Sequence, residues 1–497
     1  MITEKELDFV REALEMAKRA GAQHARATLS LSEEDLVATL DGEVDRVTHC
    51  ADRSLSLALF VDGRYGSYST NKLDATSLAG FIERAVAATR MVAPDPLRVL
   101  PDPARCCHDA LTGDELGLVD PARNTLTPAD RQNLALQASV LASAAGLLPR
   151  GESKDSDLFA ASQKSPISFD PTTDVVPPLP SRGRHAPAGA APCPQISTEA
   201  EYKIVSEEGE YSDSVYDTVV MDTNGVCCRH SETSFDYGVE ITIESEGEKY
   251  SGYWWDASSR LAELDVPACG REALARAVGQ IGSEPAPSGR YTAVIDAEMA
   301  SKVVSPLLRA LSGYAIQQNN SFLMDSLGRS LFPEGLSIMD LPRIPGQTCS
   351  KYFDSEGVAT VEAPIIEAGV VKQYFINSYM AGKLQMAPTV EDATRPKVLP
   401  WPCPGLDRDA ILRRCGSGIL VTDFNGGNSN PVTGDFSYGI EGYRFENGKI
   451  VAPVSGMLMT GNFLTLWSHL LAAGDDARPC QTKLIPTLAF AEVDFSG

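Results

Sequence analysis

The sequence predicts an α+β protein, and three observations lead to that prediction. An amphipathic helical pattern opens the chain and gives way to period-two strand patterns, a region of mixed helix and strand signals follows, and the C-terminal part is rich in strands and hairpins. With 497 residues, the chain is long enough for two or three domains that each bury a core. We therefore expect an N-terminal helix plus antiparallel sheet module at 1–100, a middle α/β region at 101–285 and a C-terminal strand-rich α+β domain at 286–497.

The N-terminal domain is predicted to begin with a helix. A capping-box spacing and hydrophobic residues at helical intervals define this helix, which should end at Gly21. At residues 24–70 the hydrophobic period changes to two, and Asp-Gly turn signals stand at positions 41 and 62. A second helix at about 75–91 should close the domain.

The middle domain combines a helix, an insertion and strands. A helical pattern at about 128–147 is followed by a stretch of prolines, serines and alanines without a sustained hydrophobic period. Such a stretch buries too little surface to offset its ordering entropy, so we predict a disordered insertion at 151–195. Strand patterns then occupy 201–225 and 237–255, and another helix is predicted at about 271–281.

The C-terminal domain is predicted to hold short strands, hairpins and a few helices. A buried strand at 292–296 precedes a helix at 297–311, and a hairpin turns at 367–369. An apolar run at 463–474 is interpreted as a helix, and the last strand is expected at 484–493.

Residues 431–450 form the best-defined predicted hairpin, with Asn447-Gly448 at its turn. Alternate residues of its first strand should face opposite sides, with Phe436, Tyr438 and Ile440 on one side and Ser437, Gly439 and Glu441 on the other. Asp435 and Ser437 attract interest as a neighbouring acid and hydroxyl. Since no histidine lies close in sequence to act as a base, a structural role is favoured for both.

Composition and charge exclude several classes of function. The 67 acidic residues outnumber the 43 basic ones and give a formal net charge of −24, which repels nucleic acid and anionic membranes. No segment approaches the roughly 20 apolar residues of a membrane span, and the charged start differs from a signal peptide. We expect a cytoplasmic protein with no direct nucleic-acid or membrane partner.

Eleven cysteines, an odd number spread over a long chain, indicate reduced thiols. Two clusters look metal-like, Cys106-Cys107-His108 and Cys227-Cys228-Arg229-His230. Adjacent cysteines are poorly placed to bind one zinc ion together, and no C-x-x-C pair accompanies them. We therefore interpret both clusters as half-buried thiols.

Three long motifs carry a family resemblance. GNSNPVTGDFSYGIEGYRFENGKIVAPVSGMLMTGN, YFDSEGVATVEAPIIEAGVVKQYFINSYMAGKL and SFLMDSLG together resemble the TldD/PmbA family, specifically its PmbA branch, also called TldE. The resemblance covers most of the chain apart from the insertion at 151–195. It implies a C-terminal domain of the TldD/PmbA type.

The resemblance also implies a partnership. TldD-type subunits of this family are zinc metallopeptidases whose metal is held by two histidines of an H-E-x-x-x-H helix and a cysteine near the C-terminus, with the glutamate as general base. They act with a TldE-type subunit on unfolded or small peptides. The resemblance therefore implies a TldD-type partner that carries zinc, and a peptide or unfolded-protein substrate.

This chain does not keep the metal-binding string. None of its six histidines lies in such a motif, and alignment through Ala310–Gly313 places Val304 and Arg309 at the histidine positions and Ser305 at the glutamate position. Cys480 falls where the family cysteine ligand lies. Valine cannot bind zinc and arginine repels it, so we expect no metal, no other cofactor and no catalytic residue in this chain.

Two of these positions have alternative interpretations. Cys480 is expected to be a buried thiol rather than a remnant ligand. Arg309 is either a surface charge of its helix or a cation that fills the volume of the lost metal, and the sequence leaves both open.

The retained hairpin strand suggests a peptide-binding role. Extended peptides commonly pair with a strand edge, and glycines permit close approach of a second backbone. We therefore hypothesise that the strand borders a peptide groove, which would involve Gly434, Asp435, Phe436, Ser437, Gly439 and Gly442.

Two other functions remain open from the sequence. The chain could be a hydrolase by itself, with Ser437 or Cys480 as nucleophile, although neither has a recognisable base. It could also be an acidic protein that modulates DNA gyrase by imitating the charge of DNA. For the contact with a partner, the aromatic residues at 250–256 are candidates, although Trp254 and Trp255 suit a core equally well.

Overall fold

The computed structural model describes residues 1–141 and 200–497. The predicted insertion at 151–195 and the end of the predicted helix at 128–147 lie outside the described residues. The mixed α+β class is confirmed, with an N-terminal helix and sheet and a strand-rich C-terminal part. Within the described ranges, no helix has the length and apolar character that a membrane crossing requires.

The elements follow one another in the order that the period changes predict. The helices are α1 Glu4–Ala20, α2 Ala75–Thr89, α3 Pro128–Gln137, α4 Val266–Gly279, α5 Ser301–Ala310, α6 Gly313–Gln317, α7 Ser378–Leu384, α8 Arg408–Cys415 and α9 Phe463–Ser468. The strands before α5 are β1 His24–Leu40, β2 Glu43–Val61, β3 Arg64–Thr70, β4 Lys203–Asp222, β5 Cys227–Ser245, β6 Glu248–Ser258 and β7 Gly289–Ile295. The later strands are β8 Ile338–Asp340, β9 Ala363–Glu367, β10 Val370–Val371, β11 Pro396–Val398, β12 Gly418–Asp423, β13 Asn428–Ser429, β14 Asp435–Glu446, β15 Lys449–Asn462, β16 Leu470–Ala473 and β17 Leu488–Ser496.

The predicted N-terminal helix is confirmed with both of its ends. Thr3 and Glu6 form the capping box, and Gly21 ends the helix with a φ of 107°, a value that favours glycine. The buried face of α1 includes Val10 and Leu14, which pack against the sheet beneath it. Asp-Gly turns at 41 and 62 join the first three strands as predicted, since both aspartates adopt a positive φ.

One antiparallel sheet runs through the N-terminal and middle regions, with the strand order β3-β2-β1-β4-β5-β6. β1 pairs with β4 from Arg26 to Leu40, so the sheet crosses the predicted boundary at residue 100. The domain boundaries themselves stay predictions. Helices α1, α2, α3 and α4 all pack on the face of the odd-numbered residues of β1 and β4, such as Leu29, Val37 and Tyr211.

The C-terminal region contains a closed ring of strands. β12 pairs with β7 in parallel and with β14 in antiparallel orientation, while β17 and β15 complete the circuit. Closure removes the free sheet edges that would otherwise attract other chains. Helix α5 packs on this ring through Val303, Val304 and Leu307, all of which are fully buried.

The predicted helix at 463–474 is wrong in its second half. Helix α9 ends at Ser468, and Leu470–Ala473 forms β16, which pairs with β17. A short apolar run suits a helix and a buried strand equally, and the available partner strand decides the outcome here. The last strand also begins later than predicted, at Leu488.

Candidate functional site

The positions that correspond to the family metal site lie in different surroundings. Val304 is completely buried in the core between α5 and the strand ring, where its side chain only packs. Ser305 is half-buried on the same helix, and Arg309 is exposed. The exposed guanidinium matches the interpretation of a surface charge, and it does not fill a buried volume left by a metal.

The positive charge of Arg309 nevertheless acts on Tyr438 of the hairpin strand β14. Burial raises the pKa of the Tyr438 phenol, while a hydrogen bond with Ser429 and the positive charge of Arg309 act in the opposite direction. The ammonium of Lys302, also on α5, lies 5.2 Å from the centre of the Tyr438 ring. Two cations of α5 therefore flank the buried face of β14.

Strand β14 has the predicted alternation, but its edges are occupied. Along one edge it pairs with β15 from Asp435 to Glu446. Along the other edge it pairs with β13 near Ser437 and with β12 from Glu441 onward, and the backbone N–H of Asn425 donates to the Gly439 carbonyl at 3.0 Å in between. A peptide cannot add to this strand by backbone pairing, so that part of the groove hypothesis is wrong.

The glycines of β14 serve contacts within the chain. A Cβ at Gly442 would lie 1.9 Å from the Leu420 carbonyl oxygen, and one at Gly439 would lie 2.6 Å from the Asn425 carbonyl oxygen. Gly434 has a φ of 82°. Tight packing in the strand ring explains Gly439 and Gly442, and a positive φ explains Gly434, so none of them requires the approach of a peptide.

Asp435 and Ser437 do not form a catalytic pair. The Asp435 carboxylate accepts hydrogen bonds from the Asn462 amide at 2.9 Å and the Thr433 hydroxyl at 2.6 Å, and these bonds lower its pKa. Asn462 in turn caps α9 through the Leu464 N–H. Within the described residues, the Ser437 hydroxyl has no hydrogen bond to a histidine or a carboxylate, so no base activates it.

Cys480 lies in a half-buried, charged environment. Burial raises the pKa of its thiol to about 12, with Arg478 acting in the opposite direction and the carboxylates of Asp256 and Glu298 reinforcing the rise. A neutral thiol is a poor nucleophile. A buried cation does lie beside Cys480, but it is Arg478. Arg309, the cation at a family histidine position, is exposed.

Arg478 connects the Cys480 segment to Glu298 and to strand β6 of the N-terminal sheet. Arg478 forms a short ion pair with Glu298, and its other nitrogen donates to the Trp255 carbonyl at 2.6 Å. The Trp255 indole N–H also donates to Glu298, and the Arg478 guanidinium lies 4.3 Å from the centre of the Trp254 ring. Trp254 is buried in the core, while Trp255 is half-buried, so the aromatic stretch at 250–256 is partly core and partly site.

A second buried arginine fixes the same segment. Arg395 is completely buried and donates to the carbonyls of Pro479 at 2.7 Å and Gln481 at 3.1 Å, on both sides of Cys480. Neither Arg395 nor Arg478 stands out in the sequence. Their roles become visible only in the three-dimensional structure, because their partners are far away along the chain.

The four family positions do not fit a zinc ion. Val304 offers no ligand atom, Arg309 and the nearby Arg478 are cations, and Cys480 is a neutral thiol. The absence of metal from this chain stays a prediction.

Only one group of described residues brings three possible ligand atoms together, Glu33, Asp35 and His49. Its carboxylates already pair with the buried Arg123 at 3.3 and 3.2 Å, so ion pairing accounts for this group. The cysteines at 106, 107 and 228 lie in an apolar cluster, in agreement with their interpretation as thiols.

Two neighbouring cavities lie beside Trp255. The larger, of about 580 Å³, occupies the even-numbered face of the N-terminal sheet and is called the acidic groove below. The acidic groove is lined by Asp45, Arg46, Glu208, Glu210, Asp236, Glu240, Tyr253, Trp255 and Asp256, among others. The smaller, of about 110 Å³, shares Tyr253 and Trp255 with the groove and reaches Glu441 on β14.

The smaller cavity has an unsatisfied polar group. The Gln280 side chain is buried and donates to the Gly442 carbonyl at 3.3 Å, but its amide oxygen has no hydrogen-bond partner in the described structure. Glu298 and Glu441 also line this cavity. The side chains of the outward face of β14 thus border a cavity through Glu441, even though its backbone edges are closed.

The thiol of Cys480 is expected to resist alkylation. Treatment of the native protein with iodoacetamide at pH 7.5 should modify the exposed Cys50 and Cys403 well before Cys480, because a pKa of about 12 leaves almost no thiolate. Peptide mapping by mass spectrometry would measure the order. Modification of Cys480 as fast as that of Cys50 would show that its thiol is activated.

Comparisons with known proteins agree with the fold and with the family resemblance. Models of the PmbA/TldA metallopeptidase C-terminal domain, central domain and domain 1 match residues 288–497, 188–281 and 29–89. The metalloprotease PmbA of Escherichia coli O157:H7 is 25% identical over 97% of this chain and 95% of its own length.

Solved structures give the same result. A Bacteroides thetaiotaomicron protein, described as a proposed modulator of DNA gyrase, is 33% identical over the whole of both chains, with a TM-score of 0.83. TldE from Thermococcus kodakarensis is 16% identical, covers 98% of this chain and all of its own, and has a TM-score of 0.75, which supports the fold.

Proposed function

Because the chain belongs to the PmbA/TldD metallopeptidase family, in its PmbA (TldE) branch, we propose that it is the metal-free subunit of a two-component zinc peptidase. The zinc and the general base belong to a TldD-type partner, and the complex acts on unfolded or small peptides in the cytoplasm. This chain contributes contacts that hold the peptide. It has no catalytic residue of its own.

The observation that carries the proposal is the state of the four family positions. A zinc peptidase needs several protein ligands and an open position for water. Here a completely buried valine, an exposed arginine and a thiol with a pKa of about 12 occupy the ligand positions. Hydrolysis therefore needs a metal from another chain.

The acidic groove supports the proposal that this chain helps to bind the peptide. Carboxylates of Glu208, Glu210 and Glu240 line it together with the rings of Tyr253 and Trp255. Carboxylates attract positive charge, and aromatic faces bind cationic side chains. An extended peptide with lysine or arginine residues suits this lining, and its other end would reach the smaller cavity at Glu441.

Elemental analysis of the purified chain, combined with peptidase assays, tests the proposal. We expect much less than one zinc per chain and no hydrolysis of an unstructured peptide by the chain alone. Addition of a TldD-type subunit should give activity that exceeds that of the partner alone and disappears on chelation. One zinc per chain with activity of the isolated protein would contradict the proposal.

A pair of variants tests the groove in the same assay. Glu240→Lys reverses a charge inside the groove, and Glu244→Lys is the matched control on the same face of β5 outside it. With a lysine-rich peptide, only Glu240→Lys should raise KM, by several-fold, and a glutamate-rich peptide should show no such rise. Equal effects of both variants would remove the groove from the proposal.

The structure favours neither of the other two functions. A hydrolase based on Ser437 or Cys480 lacks an activating base and a thiolate. A DNA-imitating protein needs ordered rows of carboxylates, whereas residues of the acidic groove such as Glu210 lie near cations such as Arg46 at 3.6 Å.

A further inference from the structure

The N-terminal sheet has an open edge in β2. β3 pairs with Leu55–Val61 only, and no described strand or bridge pairs with the outer side of residues 43–53. Every residue from Glu43 to Arg53 is exposed, so both faces of this stretch are open as well. Its backbone N–H and C=O groups on that side are available to another chain.

Proteins usually protect such an edge, and here the protection is partial. A bulge places Asp45 outside the regular register of β1 and β2, because Ala38 pairs with Arg46 and Thr39 with Val44. From Arg46 to Arg53 the strand is regular and contains no proline, and its Val47 is 55% exposed. This segment, Arg46–Arg53, is called the β2 edge below.

The charges of the β2 edge are complementary to themselves. Its sequence is RVTHCADR, preceded by Asp45. If two copies run antiparallel with His49 opposite His49, Arg46 faces Asp52 of the other copy at both ends. Opposite charges directly across an antiparallel pair are stabilising, and like charges are destabilising.

Neighbouring registers lose this complementarity. Because pairing with β1 fixes which backbone groups of β2 point outward, the nearest alternative registers differ by two residues, and they place Arg46 opposite Cys50 or Ser54 instead of Asp52. We propose that the β2 edge pairs with the β2 edge of a second copy of this chain, antiparallel, with His49 on the two-fold axis. The two six-stranded sheets then become one continuous sheet.

Some side chains of the β2 edge already have partners in their own chain. Arg53 pairs with Glu6 at 2.5 Å and His49 with Asp35 at 2.9 Å, whereas Asp52 has no ion pair among the described residues. Arg46 pairs with Glu210 at 3.6 Å, but both side chains are more than half exposed, and such pairs hold side chains weakly. The proposal does not depend on the family metal-site positions, none of which lies on this edge, although Arg46 also lines the acidic groove.

A charge swap tests the pairing in the full chain. Sedimentation velocity should show a dimer for the wild type. Asp52→Arg and Arg46→Asp should each shift it to monomer, since like charges then face each other, and the double variant should restore the dimer. Glu83→Arg, an exposed acid of α2, is the matched control and should leave the dimer unchanged. A monomeric wild type, or a double variant that stays monomeric, overturns the proposal.

Cysteine cross-linking tests the register. In a Cys50→Ser background, His49→Cys places two thiols directly opposite each other, close to the separation a disulfide needs. Glutathione disulfide should then yield a covalent dimer for His49→Cys but not for Val47→Cys, whose opposite residue is Ala51. Equal cross-linking of both variants contradicts the register. A wild type that associates only with a TldD-type subunit would contradict self-pairing.

Discussion

Replacing Arg395 with methionine is expected to lower the free energy of unfolding by about 3 kcal/mol, because each buried acceptor left without a donor costs about 1–3 kcal/mol. The Arg395 guanidinium donates to the carbonyl oxygens of Thr348, Pro479 and Gln481 and to the Gln347 amide oxygen, at 2.6–3.2 Å. No carboxylate is among these partners, and burial lowers the pKa of Arg395. Part of the loss is offset because a buried charge is also removed.

Chemical denaturation of the wild type and of Arg395→Met would measure the change. Arg395→Lys is the informative control, because it keeps a positive charge but not the planar arrangement of donors, and we expect an intermediate loss. The segment that holds Cys480 should also loosen, so Arg395→Met should make Cys480 react faster with iodoacetamide. A stability within about 0.5 kcal/mol of the wild type, the usual range for surface substitutions, would contradict the role of this network.

The elements with local signals could be predicted from the sequence. The capping box, the helix end at Gly21 and the Asp-Gly turns each depend on residues within a few positions, and the structure contains all of them. The turn at Asn447-Gly448 also follows from local chemistry, because both residues adopt the positive φ that it requires.

Contacts between distant residues could not be predicted in the same way. Arg395 and Pro479 are 84 positions apart, and Glu298 and Arg478 are 180 apart. The hydrophobic pattern of β14 showed which side chains are buried, but not that its backbone edges pair with β12, β13 and β15. Pairing of a peptide with the β14 backbone was wrongly expected for this reason, since glycines leave room equally for a ligand and for a neighbouring strand.

The core-facing acids of β4 are another feature whose partners could not be predicted from the sequence. In a strand with alternating burial, Asp213 takes a position between Tyr211 and Val215 on the helix-covered face, where an acid is unexpected. Its partners are Arg131 on α3 and Arg123, which lies just before α3. Sequence spacing gives no reason to connect these residues.

Replacing Asp213 with alanine is therefore expected to destabilise the protein by about 3–5 kcal/mol, the range for breaking a buried ion pair by removal of one partner. The completely buried carboxylate pairs with Arg131 at 2.6 Å and with Arg123 at 2.9 Å, and it accepts a hydrogen bond from the Tyr211 hydroxyl at 3.2 Å. Without it, the only carboxylates that still pair with the two buried guanidiniums are those of Asp35 and Glu33, which are partly exposed.

A double-mutant cycle measures whether the loss comes from the uncompensated charge. Arg131→Met alone should also destabilise the protein, but the Asp213→Ala, Arg131→Met double variant should lose less than the sum of the two, because one unpaired buried cation is removed with its partner. Asp8→Ala is the control, since its pair with Arg11 at 2.6 Å is exposed and should contribute no more than about 1 kcal/mol. Additive losses in the double variant would mean that Asp213 and Arg131 stabilise the sheet independently, through packing and hydrogen bonds rather than as an ion pair.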